Sequence, residues 1–229
     1  MRLTRLLVAR GDTVVSVFRN GWQAQAVSRA GATPIVLNLE EDGVETFAAV
    51  FAGKDVVYFC AGAEGHGGPT RYRTVDYAGA RKVFDALELI RGPKPRLIML
   101  SAIDVRDRDK IPAHYTPKDL QHSDHLWTAM GAFLQAKYDA DRDLARRRSF
   151  KWTILRPGWL TDAESTGRAA VGKAPLGATI SRDDVARALA LLADRPEADG
   201  LGIDINGGEE KIEDGLARVI RRRASDFDP

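Results

Sequence analysis

The sequence predicts an α/β fold built on a doubly wound parallel sheet, and three observations point there. Residues 56–60, VVYFC, are apolar without alternation, as in a strand covered by helices on both faces. Short apolar runs of this kind alternate with helix-period segments along the chain, which is the pattern of a parallel sheet with helices on either side. The segment DVVYFCAGAEGHGG also breaks directly from its strand into Gly62, Gly65, Gly67 and Gly68. In open α/β sheets, ligands sit just beyond the C-terminal ends of the strands, and glycine lets backbone approach them closely.

Each element follows in order. Residues 2–10 put Leu3, Leu6 and Leu7 on one helical face, and Gly11-Asp12 ends that helix. Residues 13–18 read as a strand, 23–29 as a short helix closed by Gly31, 33–37 as a strand and 44–51 as a helix. After the strand at 56–60, a helix is expected over 74–90, with Val75, Ala78, Val83, Leu87 and Ile90 as its apolar positions. Residues 96–100 form a strand that delivers Ser101. Residues 102–125 are polar, hold Pro112, Pro117 and three histidines, and read as a long functional loop. A long helix over 126–147 precedes a strand at 152–155, stopped by Pro157-Gly158. Residues 161–179, rich in Gly, Ala and Thr, read as flexible. Ser181 caps a helix through Leu192 with Asp183 and Asp184 in its first turn. A last strand is expected at 203–205 and a last helix at 211–222. Without repeats or a linker, residues 1–229 are expected to form a single domain.

Composition narrows the function classes. Lys plus Arg number 34 against 32 Asp plus Glu, so no strong net field favours nucleic acid or a membrane surface. Small molecules are the expected partners. The runs Arg146–Arg148 and Arg221–Arg223 close predicted helices, where cations complement the helix dipole. Cys60 is the single cysteine, which excludes an internal disulfide and suits a reducing compartment. Lying in an apolar strand, it reads as a small core residue. No apolar run reaches transmembrane length and no secretory signal is visible, so a cytoplasmic protein is expected.

Taken in order, VVSVFRN, DVVYFCAGAEGHGG, TVDYAGARKVFDA, RLIMLSAID, FLQAKYDADRDL, WTILRPGWLTD and ISRDDVARAL resemble the atypical short-chain dehydrogenases/reductases. The likeness is to their NmrA-like, flavin-reductase-like group, with a Rossmann fold, and it runs over nearly the whole length. It implies an NADP-dependent oxidoreductase reducing a small carbonyl, quinone or flavin, with NAD the less favoured cofactor. A non-catalytic dinucleotide-binding regulator, or an inactive product, is the alternative.

Two departures stand out. That family begins with a strand and a glycine-rich turn that cradles the cofactor pyrophosphate at a helix N-terminus. Here the chain starts within what resembles the first helix, so a truncated or misassigned start is expected. Losing a strand between 13–18 and 56–61 leaves a gap of about two spacings of ~4.8 Å, lined with unpaired backbone groups. Weak nucleotide binding is expected in consequence. The series Gly62-x-x-Gly65-x-x-Gly68 is a poor substitute for the missing turn, because the expected helix begins only at Thr74 and the next strand ends in Leu100-Ser101, with no acidic residue there for a ribose.

The resemblance also assigns site residues. Arg19 follows the strand at 13–18 and would clamp a 2′-phosphate, favouring NADP. Asn38 would lie near the adenine or serve a turn. Cys60, Ala61 and Gly62 would line the adenosine and ribose side, and Pro157-Gly158 the nicotinamide side. Ser101 would hydrogen-bond a substrate carbonyl. Lys137 falls at the lysine of the superfamily's Tyr-x-x-x-Lys pair and would hold the cofactor ribose, but the tyrosine position is Phe133, which has no proton to give. Solvent, Tyr138, Tyr115, His114 or His125 would then replace it. His122 and His125 share helical spacing, but no acidic or cysteine partner completes a metal set. Trp127, Trp152 and Trp159 read as core or pocket wall.

Overall fold

Helices on both faces of a mostly parallel sheet make up the structure, a computed structural model that describes residues 1–63 and 67–228. Gly65 therefore lies outside the described residues. The main sheet contains β3 (Val56–Phe59), β4 (Arg96–Leu100), β5 (Trp152–Pro157), β7 (Arg168–Val171) and β9 (Gly202–Lys211). Its order is β3-β4-β5-β9-β7, parallel except where β7 runs antiparallel to β9. A separate parallel pair joins β1 (Val15–Phe18) to β2 (Thr33–Val36), and another joins β6 (Trp159–Thr161) to β8 (Thr179–Ser181).

The alternation of β4 shows why the sheet needs two layers of helix. Leu97 and Met99 face one core, with Phe47 of α3 (Val44–Phe51), Phe84 and Leu87 of α5 (Ala80–Leu89), and Leu144 of α6 (Pro117–Arg146). Ile98 faces the other, with Leu155, Ile203, Leu189 of α7 (Arg182–Ala193) and Val219 of α8 (Ile212–Arg221). Side chains on both faces are buried, as the unbroken apolar runs require. The N-terminal α1 (Arg2–Ala9) packs on α7, burying Leu7 while Leu6 remains exposed.

The sheet is divided. Among the described residues β1 pairs only with β2, and β3 pairs only with β4. The division falls between the β1-β2 ribbon and β3. With α2 (Ala24–Arg29), the β1-β2 ribbon stands apart, and Val17 and Val36 keep 37% and 52% of their surface exposed.

Several boundaries differ from expectation. The helix after β3 starts at Gly68 rather than Thr74: α4 (Gly68–Arg71) runs into a π-helical stretch, Tyr72–Gly79, before α5. The distance between glycines and helix therefore no longer counts against the Gly62–Gly68 series. The loop expected over 102–125 is shorter, because Thr116 and Asp119 form a capping box that starts α6 at Pro117. This helix then kinks at Met130 (φ −132°, ψ 22°). Residues 161–179 are not a bare flexible segment, since they contain β7 and lead into β8. Ser181 caps α7 as expected, its hydroxyl accepting from the Asp184 N–H at 3.0 Å. Arg147, at the end of α6, bonds Asp143, Asp85 and Glu88, so that basic run knits helices together.

Candidate functional site

At the C-terminal tips of β3 and β4, α6 and the π-helical stretch bring together a set of buried polar groups. Lys137 Nζ lies 3.1 Å from Asp76 Oδ1, with the carboxylate fully buried and the lysine side chain 8% exposed. Asp76 Oδ2 accepts from the Ala63 N–H at 3.1 Å. One carboxylate thus fixes both the lysine and the backbone after β3. Gly62 must stay a glycine for the same reason: a Cβ there would stand 2.9 Å from Asp76 Oδ1.

One turn along α6, Asp141 accepts from Ser101 Oγ at 2.8 Å, both groups buried. Its other oxygen, Oδ1, has no hydrogen-bond partner among the described residues. Burial pushes the Asp141 carboxyl up to about 7, against the opposing pull of Arg156, the Ser101 hydrogen bond and Lys137. Behind it, Arg156 pairs with Asp204 at 3.1 Å and donates to the carbonyls of Asp226 and Val105. Burial raises Asp204 to about 7 as well, with Arg156 opposing.

The adenosine-side residues are more exposed. Arg19, at the tip of β1, lies 3.9 Å from Glu40, and Arg71 reaches the same carboxylate at 3.3 Å. Thr74 donates to Glu40 at 2.7 Å, which ties this edge to the π-helical stretch. Asn38 forms a turn, its Oδ1 accepting from the Glu40 N–H at 3.0 Å.

Cys60 corrects an expectation. β3 ends at Phe59, so Cys60 is not a core residue but has exposed surface at the strand tip. It nevertheless sits amid protein, and burial raises its thiol to about 11, partly offset by Lys137 and the Met1 ammonium. Those two cations therefore lie around the tip of β3. Ala61 is exposed beside it.

Pro157 is buried at the end of β5, and a Cβ on Gly158 would meet the Asn206 side chain at 2.2 Å. Trp127 and Trp152 are buried, whereas Trp159 is 61% exposed and forms no part of the core. Phe133 packs edge-on against Tyr72, and Lys137 Nζ lies 5.8 Å from its ring centre. Beside this pair, at the kink of α6, a cavity of about 520 Å³ is lined by Pro69, Tyr72, Trp127, Met130 and Gly131.

The proton donors named from sequence are not joined to Ser101 or Lys137 by any hydrogen bond among the described residues. Tyr138 packs on Phe227, Tyr115 donates to Asp104, His114 stacks on Tyr115, and His125 is exposed on α6. Sequence reasoning missed Asp76 and Asp141. Asp141 had a signal: Phe133, Lys137 and Asp141 recur every four residues, which makes one helical stripe. Among the described residues no cluster of three or more His, Cys, Asp or Glu could hold a metal ion, and no helix is long and apolar enough to cross a membrane.

The family model described as NAD(P)H-binding matches residues 1–196. The chain belongs to the NAD(P)H-binding family. A UPF0659 protein of Schizosaccharomyces pombe is 37% identical over 98% of this chain and 92% of its own length. An uncharacterized sugar epimerase of Bacillus subtilis is 30% identical over 95% and 94%. A solved structure from Bacillus halodurans, provisionally assigned as an NAD-dependent epimerase/dehydratase, is 32% identical with a TM-score of 0.78, covering 95% of this chain and 92% of that one.

Membership of this family implies a nicotinamide dinucleotide, and the residues at the strand tips fit one. Met1, the N-cap of α1, makes no side-chain cap bond, and no acidic residue sits in the helix's first turn, so its free N–H groups suit an anion. Lys137 adds positive charge near the tip of β3. Arg19 and Arg71 converge at the other end of the same edge.

Proposed function

We propose that the chain is a single NADP-binding domain of the atypical short-chain dehydrogenase/reductase type, NmrA-like in kind. It would work in the cytoplasm and reduce a small carbonyl, quinone or flavin. The observation carrying this reading is the joining of the Gly62–Ala63 backbone, Asp76, Lys137, Ser101 and Asp141 at one set of strand tips. When bound, the dinucleotide supplies a hydride. Lys137 holds its ribose hydroxyls, and Asp76 keeps the lysine aimed. The backbone of Cys60, Ala61 and Gly62 lines the adenosine side, with Asn38 shaping the adjoining turn. Pro157 and Gly158 flank the nicotinamide side. Arg19, with Arg71, binds the 2′-phosphate in competition with Glu40, which makes NADP the preferred cofactor over NAD. Ser101 contacts the acceptor oxygen.

The aromatic wall of Tyr72 and Trp127 beside Phe133 suits a planar conjugated acceptor. NADPH oxidation against a panel of aldehydes, quinones and free flavin tests the reading. Oxidation with at least one acceptor, faster than with NADH, is expected. Saturable NADPH binding with no oxidation would favour a non-catalytic sensor. The sugar epimerase relative supports a second reading, in which hydride leaves and returns to one sugar. Epimerised sugar without net cofactor oxidation would favour it.

A further inference from the structure

The tyrosine position of the site is a phenylalanine, and of the substitutes suggested by sequence Tyr115 bonds Asp104, Tyr138 packs on Phe227 and His125 is exposed. What does stand behind Ser101 is a carboxyl group. Asp141 is fully buried, bonds Ser101 through one oxygen and, among the described residues, leaves the other without a partner. An ionised carboxylate in that position would hold an unsatisfied, desolvated oxygen, which is costly; a carboxylic acid is cheaper there. The direction of the contact depends on that proton. With Asp141 ionised, the Ser101 proton is fixed on the carboxylate and unavailable to a ligand. With Asp141 protonated, the carboxyl donates to Ser101 Oγ, and the serine proton is free to turn toward the crevice.

Resting on the oxidoreductase reading above, we propose that Asp141 stores the proton for carbonyl reduction and passes it through the Ser101 hydroxyl to the acceptor oxygen. In the step, the hydride and its electron pair form a new C–H bond at the acceptor carbon, and the C=O π bond breaks onto oxygen. That oxygen takes the Ser101 proton as Ser101 Oγ takes the Asp141 proton. The carboxylate left behind is reprotonated from solvent. The sum is one hydride and one proton consumed for each alcohol formed. Asp141 is a positioning and proton-supplying residue, because it acts through Ser101.

The groups facing Asp141 set its range. Lys137 on its own helix and Arg156 on β5 favour ionisation, as does the Ser101 hydrogen bond. Asp204 on β9 is coupled to it as a like charge, and Asp76 neutralises Lys137 from the π-helical stretch. With the two nearest cations each already paired to a carboxylate, burial prevails.

The first test needs no nucleotide. Side-chain ¹³C NMR of aspartate-labelled protein should show a carboxyl titrating near neutrality that vanishes in Asp141→Asn and moves upward in Ser101→Ala, which keeps Asp141 intact. Thermal melts check that both variants fold. In the second, NADPH oxidation with a responding acceptor is followed against pH. The wild-type rate should fall about tenfold per unit above the same midpoint, while Asp141→Asn should be about 10²-fold slower and flat with pH. A carboxyl that titrates in the ordinary acidic range overturns the proposal, as does an Asp141→Asn profile matching wild type. No turnover with any acceptor defeats the oxidoreductase reading instead, and the titration alone then decides whether Asp141 stores a proton.

Discussion

The two ends of the strand-tip edge are built differently. At one, Asp76–Lys137 and Ser101–Asp141 are buried. At the other, Arg19 and Arg71 share Glu40, with Arg19's side chain 47% exposed and its contact at 3.9 Å. Buried pairs are costly to break because the surviving partner is left charged in low dielectric, whereas exposed pairs are weak and screened by salt. The buried end is therefore suited to holding reacting groups at fixed positions. The exposed end is suited to yielding when a phosphate arrives.

Changes at the buried end should have the largest effects. Lys137→Met strands the Asp76 carboxylate and should cost about 3–5 kcal/mol in chemical denaturation. Should the loss be under about 1 kcal/mol, the pair is not the buried anchor described here. Next comes pH. Because the folded carboxyls of Asp141 and Asp204 titrate at about 7, above the unfolded range, the folded state binds more protons between about pH 4 and 7. Stability should fall as pH rises through that window, by up to about 1.4 kcal/mol per unit for each group. The loss should shrink in Asp141→Asn, and denaturant midpoints from pH 4 to 8 measure it. Gly158→Ala forces a methyl group onto Asn206 and should cost about 1–3 kcal/mol, seen as a lowered Tm.

Effects at the exposed end should be smaller and sensitive to salt. Arg19→Asp should move preference from NADPH toward NADH by about tenfold in Kd, and no movement would remove Arg19 from the phosphate site. Glu40→Gln should tighten NADPH by a few fold, and most of that gain should vanish at high ionic strength.

The sequence foretold most of the frame, and the reasons it failed elsewhere are physical. β3, β4 and β5 were legible because strands covered on both faces are continuously apolar. The α7 cap was legible because a serine before two aspartates satisfies the first-turn N–H groups. β7 was not: Arg168–Val171 reads as RAAV, too short and small-sided to stand out, and its antiparallel pairing to β9 is set by tertiary packing. Gly67, Gly68 and Pro69 masked an early helix start, although Pro is well placed in a first helical turn. Asp76, Asp141 and Arg156 were overlooked because a charged residue on a helix or strand tip ordinarily reads as solvated, and only the fold shows the partners that bury it. Cys60 was misread because an apolar run does not reveal where hydrogen bonding to a neighbouring strand stops.

The central claim is that the strand tips hold a nicotinamide dinucleotide against Lys137. Titration of the protein with NADPH, read by nicotinamide fluorescence and repeated on Lys137→Met under conditions where melts show it folded, tests this most directly. Saturable binding to wild type that weakens at least tenfold in the variant is the predicted result. Equal affinity in both proteins would contradict it.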